Sequence, residues 1–228
     1  MSNGTAGIQV DILRRALSDH ELTWRQMDYR GLESAVSDQK ADVAMTVLDG
    51  QSNVFYSVDY IGFVNFAITK RADNLKVERV ADLKGHPVLV WQNAWIDLGG
   101  EFKNQYAPGS DERTNYVEVA NQAEQVRQFW DGDGKVIVID RSIFDYFSRQ
   151  QRHSLEAVTY HHLFPKVTKF KVGFAEAAVR DEFNAQLRKL CESGVYHQLL
   201  KRYDMPDVAS ICDQFNEGAR SGAGRKQE

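Results

Sequence analysis

The sequence predicts a mixed α/β protein of two lobes, on three observations. The runs GHPVLVWQNAW (85–95) and KVIVID (135–140) are short apolar, β-branched segments that open into polar residues. That is the pattern of a buried parallel strand, and ligands of open α/β sheets bind outside the carboxyl ends of such strands. Strand-like and helix-like segments also alternate along nearly the whole chain, the order of βαβ units. Finally, 228 residues exceed the usual size of one domain, leaving room for a core in each half.

Each element follows from its local pattern. In GIQVDILRRAL (7–17), Ile8, Ile12 and Leu13 recur at helical spacing, so this segment predicts a helix. Residues 22–27 predict a short strand, 32–36 a short helix, and ADVAMTV (41–47) a buried strand. A loop at 57–60 leads to a long apolar strand at 64–69. The shift to KRADNLK (70–76) predicts a crossing between lobes. The same grammar then repeats: strand 88–91, helix 95–106, strand 116–119, helix 120–130, strand 136–139 after the turn DGDGK, and helix 142–149. Residues 170–174 predict a strand that crosses back. A long amphipathic stretch at 181–203 follows, its apolar stripe being Phe183, Leu187, Leu190, Val195 and Leu199 and its break Gly194. Lobe 1 is therefore expected at 1–69 and 171–215, lobe 2 at 70–170, and a polar, Gly-rich disordered tail at 216–228.

Composition narrows the function classes. Apolar residues make up 43% and charged residues 26%, a globular balance rather than a disordered one. The 28 basic and 32 acidic residues form no basic stripe, which argues against nucleic acid as a partner. No apolar run approaches the roughly 18 residues that span a bilayer, so direct membrane insertion is not expected. The opening MSNGTAG is polar where a secretion leader is apolar, so no signal peptide is read in this chain. Cys191 and Cys212 lie close enough in sequence to form a bridge, or stand as two buried thiols; both readings remain open here.

The blocks GIQVDILRRAL, ADVAMTV, YSVDYIGF, DLKGHPVLV, KVIVID and KVGFAEAAVRDEFNAQLRKLCESGVYHQLLKRY resemble, in this order and spacing, those of the type II periplasmic solute-binding proteins, in the family-3 group best known for polar amino acids. The resemblance runs nearly to Asp204. It implies a two-lobed fold with a hinge and an interlobe cleft, and an extracytoplasmic protein that captures a small polar or cationic metabolite by hinge closure for ABC-type uptake. It further implies a periplasmic or extracellular location and a transporter membrane component as partner. Family members begin with a strand and an aromatic-bearing loop ahead of the segment that here starts at Gly7. Met1 therefore reads as an internal methionine of a longer reading frame or an artificial start.

Departures from the family pattern bear on the ligand. After the strand matching ADVAMTV, the resemblance calls for Thr-x-x-Arg, whose arginine grips a ligand carboxylate in a bidentate pair. This chain reads TVLDGQSN, with Asp49 in the neighbourhood, a residue that repels an anion and attracts an ammonium. In the second lobe, Gly-Ser-Thr at a helix start is replaced by Asn93-Ala94-Trp95, which keeps the helix N-terminus and loses both hydroxyls. Trp91 and Trp95 offer faces for a planar or cationic ligand, with core packing as the alternative. Asp140 matches the acidic residue that takes the ligand's ammonium, and equally suits the cap of the helix that follows. Arg141 pairs with Asp140 or supplies the missing anion contact. Thr46, Tyr60 and Phe63 fall where the first lobe faces its cleft, Phe63 serving as readily in hinge or core. Asn121 reads as a helix N-cap.

His161 and His162 are adjacent, so on a strand they point to opposite faces, and no metal site is expected of them. The sequence has no G-x-S-x-G elbow, no P-loop and no G-x-G-x-x-G after a strand, so neither an enzyme nor a cofactor is expected. Two alternatives stand beside transport: a ligand-sensing domain of a membrane receptor, and a dehydratase-like enzyme using Asp49 or Asp140 as acid or base.

Overall fold

Apolar spacing decides most of the elements in the computed structural model, which describes residues 7–164 and 166–216. The chain runs α1 (Ile8–Ala16), α2 (Tyr29–Glu33), β1 (Val43–Val47), β2 (Phe55–Tyr56), β3 (Ile61–Phe63), β4 (Asn65–Lys70), β5 (Val88–Val90), α3 (Ala94–Asp97), α4 (Gly100–Tyr106) and β6 (Tyr116–Glu118). It continues through α5 (Gln122–Trp130), β7 (Val136–Asp140), α6 (Arg141–Gln150), β8 (Val158–His161), β9 (Thr168–Phe174), α7 (Ala177–Glu192) and α8 (Val195–Arg202), with short 3-10 turns between. The sequence reading missed β2, β3 and β8. The expected 95–106 helix is two helices, parted at Gly99, which has φ 95°.

The chain divides into two compact units, one holding residues 7–63 and 168–216, the other Val64–Val167. The boundary expected at 69/70 and 170/171 thus moves to 63/64 and 167/168. Strand β4 pairs antiparallel with both β7 and β8, so it belongs wholly to the second unit, and KRADNLK lies inside that unit rather than between units. Of the expected tail, positions 217–228 lie outside the described residues.

The second unit is a five-stranded sheet in the order β6-β5-β7-β4-β8. Strand β5 runs parallel to both β6 and β7. Alternate residues of each strand feed opposite layers. Ala67, Val88, Val90, Val136 and Val138 pack with Phe102 and Tyr106 on one face. Ile68, Leu89, Ile137 and Ile139 pack with Phe129 and Phe144 on the other. Both faces are buried, which is why these strands read as continuous apolar runs.

The first unit hangs on β9, which pairs antiparallel with β1, β2 and β3. Gly173 sits where β1 and β2 close on β9 from both sides. A Cβ there would come within 2.9 Å of Val54 Cγ1, so the pairing depends on its absence. Residues 22–27 form no strand, contrary to the sequence expectation. Among the described residues only β9 pairs with β1, and the 22–27 segment instead borders a cavity of about 480 Å³ together with Leu13, Leu17, Val43 and Met45. Helices α7 and α8 are separated at Gly194, whose φ of 75° is the left-handed turn that a glycine takes without strain. Cys191 and Cys212 are bridged, tying the end of α7 to the turn Ile211–Phe215.

Candidate functional site

In the second unit, β5 is the central strand of a parallel trio. The chain passes from it to β6 on one side and then crosses to β7 on the other, and in open α/β sheets such a reversal of strand order is where ligands bind, outside the carboxyl ends. Three segments meet the ends: Trp91 to Trp95 after β5, Glu118 at the end of β6, and Asp140 at the end of β7 with Arg141 following it.

The turn after β5 is held from within. Asn93 takes a left-handed conformation (φ 61°, ψ 11°), which asparagine tolerates better than most residues. Its backbone N–H donates to Glu118 Oε1 at 3.1 Å. The next two N–H groups donate to Trp91 O at 3.3 Å and to the Tyr116 hydroxyl at 3.0 Å. Arg113 completes the cluster, its Nη2 lying 3.5 Å from Glu118 and its guanidinium 4.3 Å from the centre of the Tyr116 ring. Burial pushes the Tyr116 hydroxyl pKa up, so it remains a neutral donor and acceptor. Ala94, expected at the ligand, is fully buried in the core. Trp91 and Trp95 both pack in part against that same core, and Lys103 Nζ sits 5.7 Å from the centre of the Trp95 ring.

Asp140 is a cap. Its Oδ1 accepts from the N–H groups of Ser142 (2.8 Å) and Ile143 (3.2 Å), and its Oδ2 from Val64 N–H (3.1 Å). Burial pushes its carboxyl up to about 6, because desolvation outweighs those three donors. Of the two readings of Asp140, the cap describes this geometry. Arg141 does not pair with Asp140; it lies 3.6 Å from Asp145 and 4.8 Å from the centre of the Tyr160 ring. Asn121 caps α5 by accepting from Glu124 N–H at 3.0 Å. His161 Nε2 lies 2.9 Å from Thr69 Oγ1, while the His162 ring packs against Phe66.

In the first unit, Thr46 is held at φ 60° in an irregular stretch of β1, a left-handed conformation that is strained for a β-branched residue. Gln9 Nε2 donates to its hydroxyl at 2.7 Å, and the Tyr60 hydroxyl lies 3.1 Å away. Tyr60 is completely buried, packed edge-on against Phe183, with its carbonyl accepting from the Tyr196 hydroxyl. It is therefore a core residue rather than a ligand contact. Phe63 is likewise core, packed against Phe170. Asp49 is exposed, yet Lys171 Nζ lies 3.8 Å from it and 2.9 Å from Asp59, so a cation already tempers the negative charge expected there.

Sequence reasoning missed Gln9, Arg113, Glu118 and Lys171. The alternation in YVE places Tyr116 and Glu118 on one face of β6, which was a usable signal. Lys171 faces Asp49 only through the β1–β9 register, which no local pattern reveals.

No protein-family model matches the chain, and no curated protein matches it in sequence. Solved structures do match. The arginine-, lysine-, histidine-binding protein ArtJ from Geobacillus stearothermophilus aligns with a TM-score of 0.72 at 14% identity, over 92% of this chain and 92% of that one. An ABC uptake transporter substrate-binding protein from Streptococcus pneumoniae, with bound histidine, aligns with a TM-score of 0.71 at 14% identity over 90% and 85%. A histidine kinase sensor domain with similarity to periplasmic binding proteins aligns with a TM-score of 0.70 at 16% identity over 87% and 86%. At such identities the likeness concerns the fold, which is the two-unit α/β fold of the type II periplasmic binding proteins.

Proposed function

We propose that this chain is an extracytoplasmic solute-binding protein that captures a small polar or cationic metabolite and hands it to an ABC-type membrane component. The observation that carries the reading is the polar turn from Trp91 to Trp95 at the carboxyl end of β5, at a reversal of strand order, in a fold shared with amino-acid-binding proteins. The chain crosses between units only at 63/64 and 167/168, so two short connections carry any hinge motion. Ligand binding then shifts an open–closed equilibrium by its preference for the closed state. The Cys191–Cys212 bridge suits an oxidising compartment, periplasmic or extracellular.

An enzymatic role finds less support. Both oxygens of Asp140 accept backbone N–H groups, which leaves that carboxyl poorly placed for proton transfer to a substrate. A sensory role is the second reading, favoured by the likeness to the histidine kinase sensor domain. A thermal-shift screen of amino acids, amines and related metabolites tests the proposal, with product analysis of every hit. The expected result is a saturable rise in melting temperature with the metabolite recovered unchanged. Turnover of a hit would transfer the protein to the enzyme class.

A further inference from the structure

We propose that the open edge of β1 is a docking slot for one extended strand of another polypeptide, apolar at its centre, which joins the sheet beside β1 and fills the adjoining cavity. Ala175 N–H donates to the Asp42 carbonyl at 2.9 Å, and the register sets Val43 opposite Phe174 and Ala44 opposite Gly173. Hydrogen-bonded and non-bonded pairs alternate along an antiparallel ladder, so Val43 turns its own N–H and carbonyl away from β9. Among the described residues no strand meets them there.

The cavity of about 480 Å³ is lined both by Val43 and Met45 of β1 and by residues 20–25 with Met27. In the latter segment Leu22 and Trp24 are half-buried between exposed Glu21, Thr23 and Arg25, the two-residue period of a strand. Yet among the described residues no main-chain hydrogen bond is made by residues 21–27. Two unpaired stretches of main chain thus border one cavity.

An inserted strand carries N–H and carbonyl groups along both of its edges, so it answers both stretches at once. A helix spends those groups within itself, and an apolar small molecule has none. Strand spacings allot each residue about 160 Å³, so the cavity holds about three residues. Leu13 and Leu17 of α1, Leu32 of α2 and Val179 of α7 line it, so these central residues are apolar, with β-branched ones best suited to a strand. Residues 1–6 and 217–228 contain no Val, Ile, Leu or aromatic residue and do not match such a lining, so the strand comes from another polypeptide. Recognition is by strand addition, in which main-chain bonds give affinity and side-chain pockets give specificity.

The test titrates the capped, fluorescein-labelled peptide KTVIVTK into the whole chain and follows its anisotropy. Saturable binding is expected. N-methylation of the three central peptide residues, which removes their donors and keeps their apolar surface, is expected to weaken it about tenfold or more. Hydrogen exchange locates the site: bound peptide is expected to slow the Val43 amide and amides within residues 22–27 about tenfold or more, and to leave β5 and β7 unchanged. Val43→Pro removes the outward N–H at an edge-strand position that admits proline, and is expected to abolish binding. Should that variant fail to fold, the N-methylated peptide decides with the natural protein.

Equal binding of the N-methylated peptide would overturn the inference, because an apolar filler would then suffice. So would an absence of binding, or protection that appears away from Val43 and residues 22–27. A dimer in light scattering that the peptide dissociates would give the slot to a second copy of this chain and overturn the choice of partner.

Discussion

The two units solve the same problem differently. The second spreads its pairing over five strands, each face of the sheet covered by its own apolar layer. The first gathers three short strands on β9 alone, with a cavity of about 480 Å³ beside the edge of β1. Where pairing is distributed, a local loss stays local. Where every strand depends on one partner, a change in that partner reaches them all. The first unit is thus expected to open more readily, in the way that local stability follows contact density.

Matched core truncations are the largest way to break this comparison. Phe174→Ala on β9 and Phe144→Ala on α6 each remove a fully buried ring, and each is expected to cost about 3–5 kcal/mol. Hydrogen exchange resolved by residue checks where the loss appears. Phe174→Ala should release β1, β2 and β3 together, whereas Phe144→Ala should leave them protected. Equal loss in both units from either variant would mean that they unfold as one body.

The disulfide comes next. It closes a loop of 21 residues within the first unit, and replacing both cysteines by alanine is expected to remove about 3 kcal/mol from that unit alone. Urea unfolding followed by exchange in α7 measures it.

Asp140 offers an effect of similar size in the second unit. Folding raises its pKa from the ordinary 3.8 to about 6, so the folded state holds an extra proton between those values. Its contribution is therefore most favourable below pH 4, falls as pH rises toward 6 and levels off above, a total of about 3 kcal/mol. Asp140→Asn, which cannot ionise, is expected to flatten the stability profile between pH 4 and 6. An unchanged slope would show that another group titrates there. The smallest effect is Asn121→Ala, which removes the α5 cap at an expected cost of about 1 kcal/mol, visible as faster exchange in the first turn of α5.

These contrasts also explain what was legible in the sequence. The second unit read well because both sheet faces are buried, so VLV and VIVID announce themselves as strands without help from distant residues. Gly194 was legible for a local reason too, since a positive φ selects glycine. Residues 22–27 misled because Leu22, Trp24 and Met27 are partly buried without pairing, and apolar pattern reports burial rather than hydrogen bonding. The unit boundary was misplaced because β4 declares its allegiance only through β7 and β8, partners far along the chain.

The candidate site divided along the same line. Trp91, Asn93 and the cap at Asn121 follow from their places at strand and helix ends. Glu118 and Lys171 act through cross-strand neighbours, so their roles emerge only once β5, β6 and β9 have been assembled. Tyr60 and Ala94 are expected at the ligand because they match positions that face the cleft in the resembling family, while in the fold both are fully buried.

The central claim is that the chain binds a small molecule and releases it unaltered. Isothermal titration of the strongest hit from the thermal-shift screen, followed by mass spectrometry of the recovered solute, measures both halves at once. One saturable site with an intact solute is the expected result. A featureless titration across amines and amino acids, or a solute recovered with a changed mass, would contradict the account.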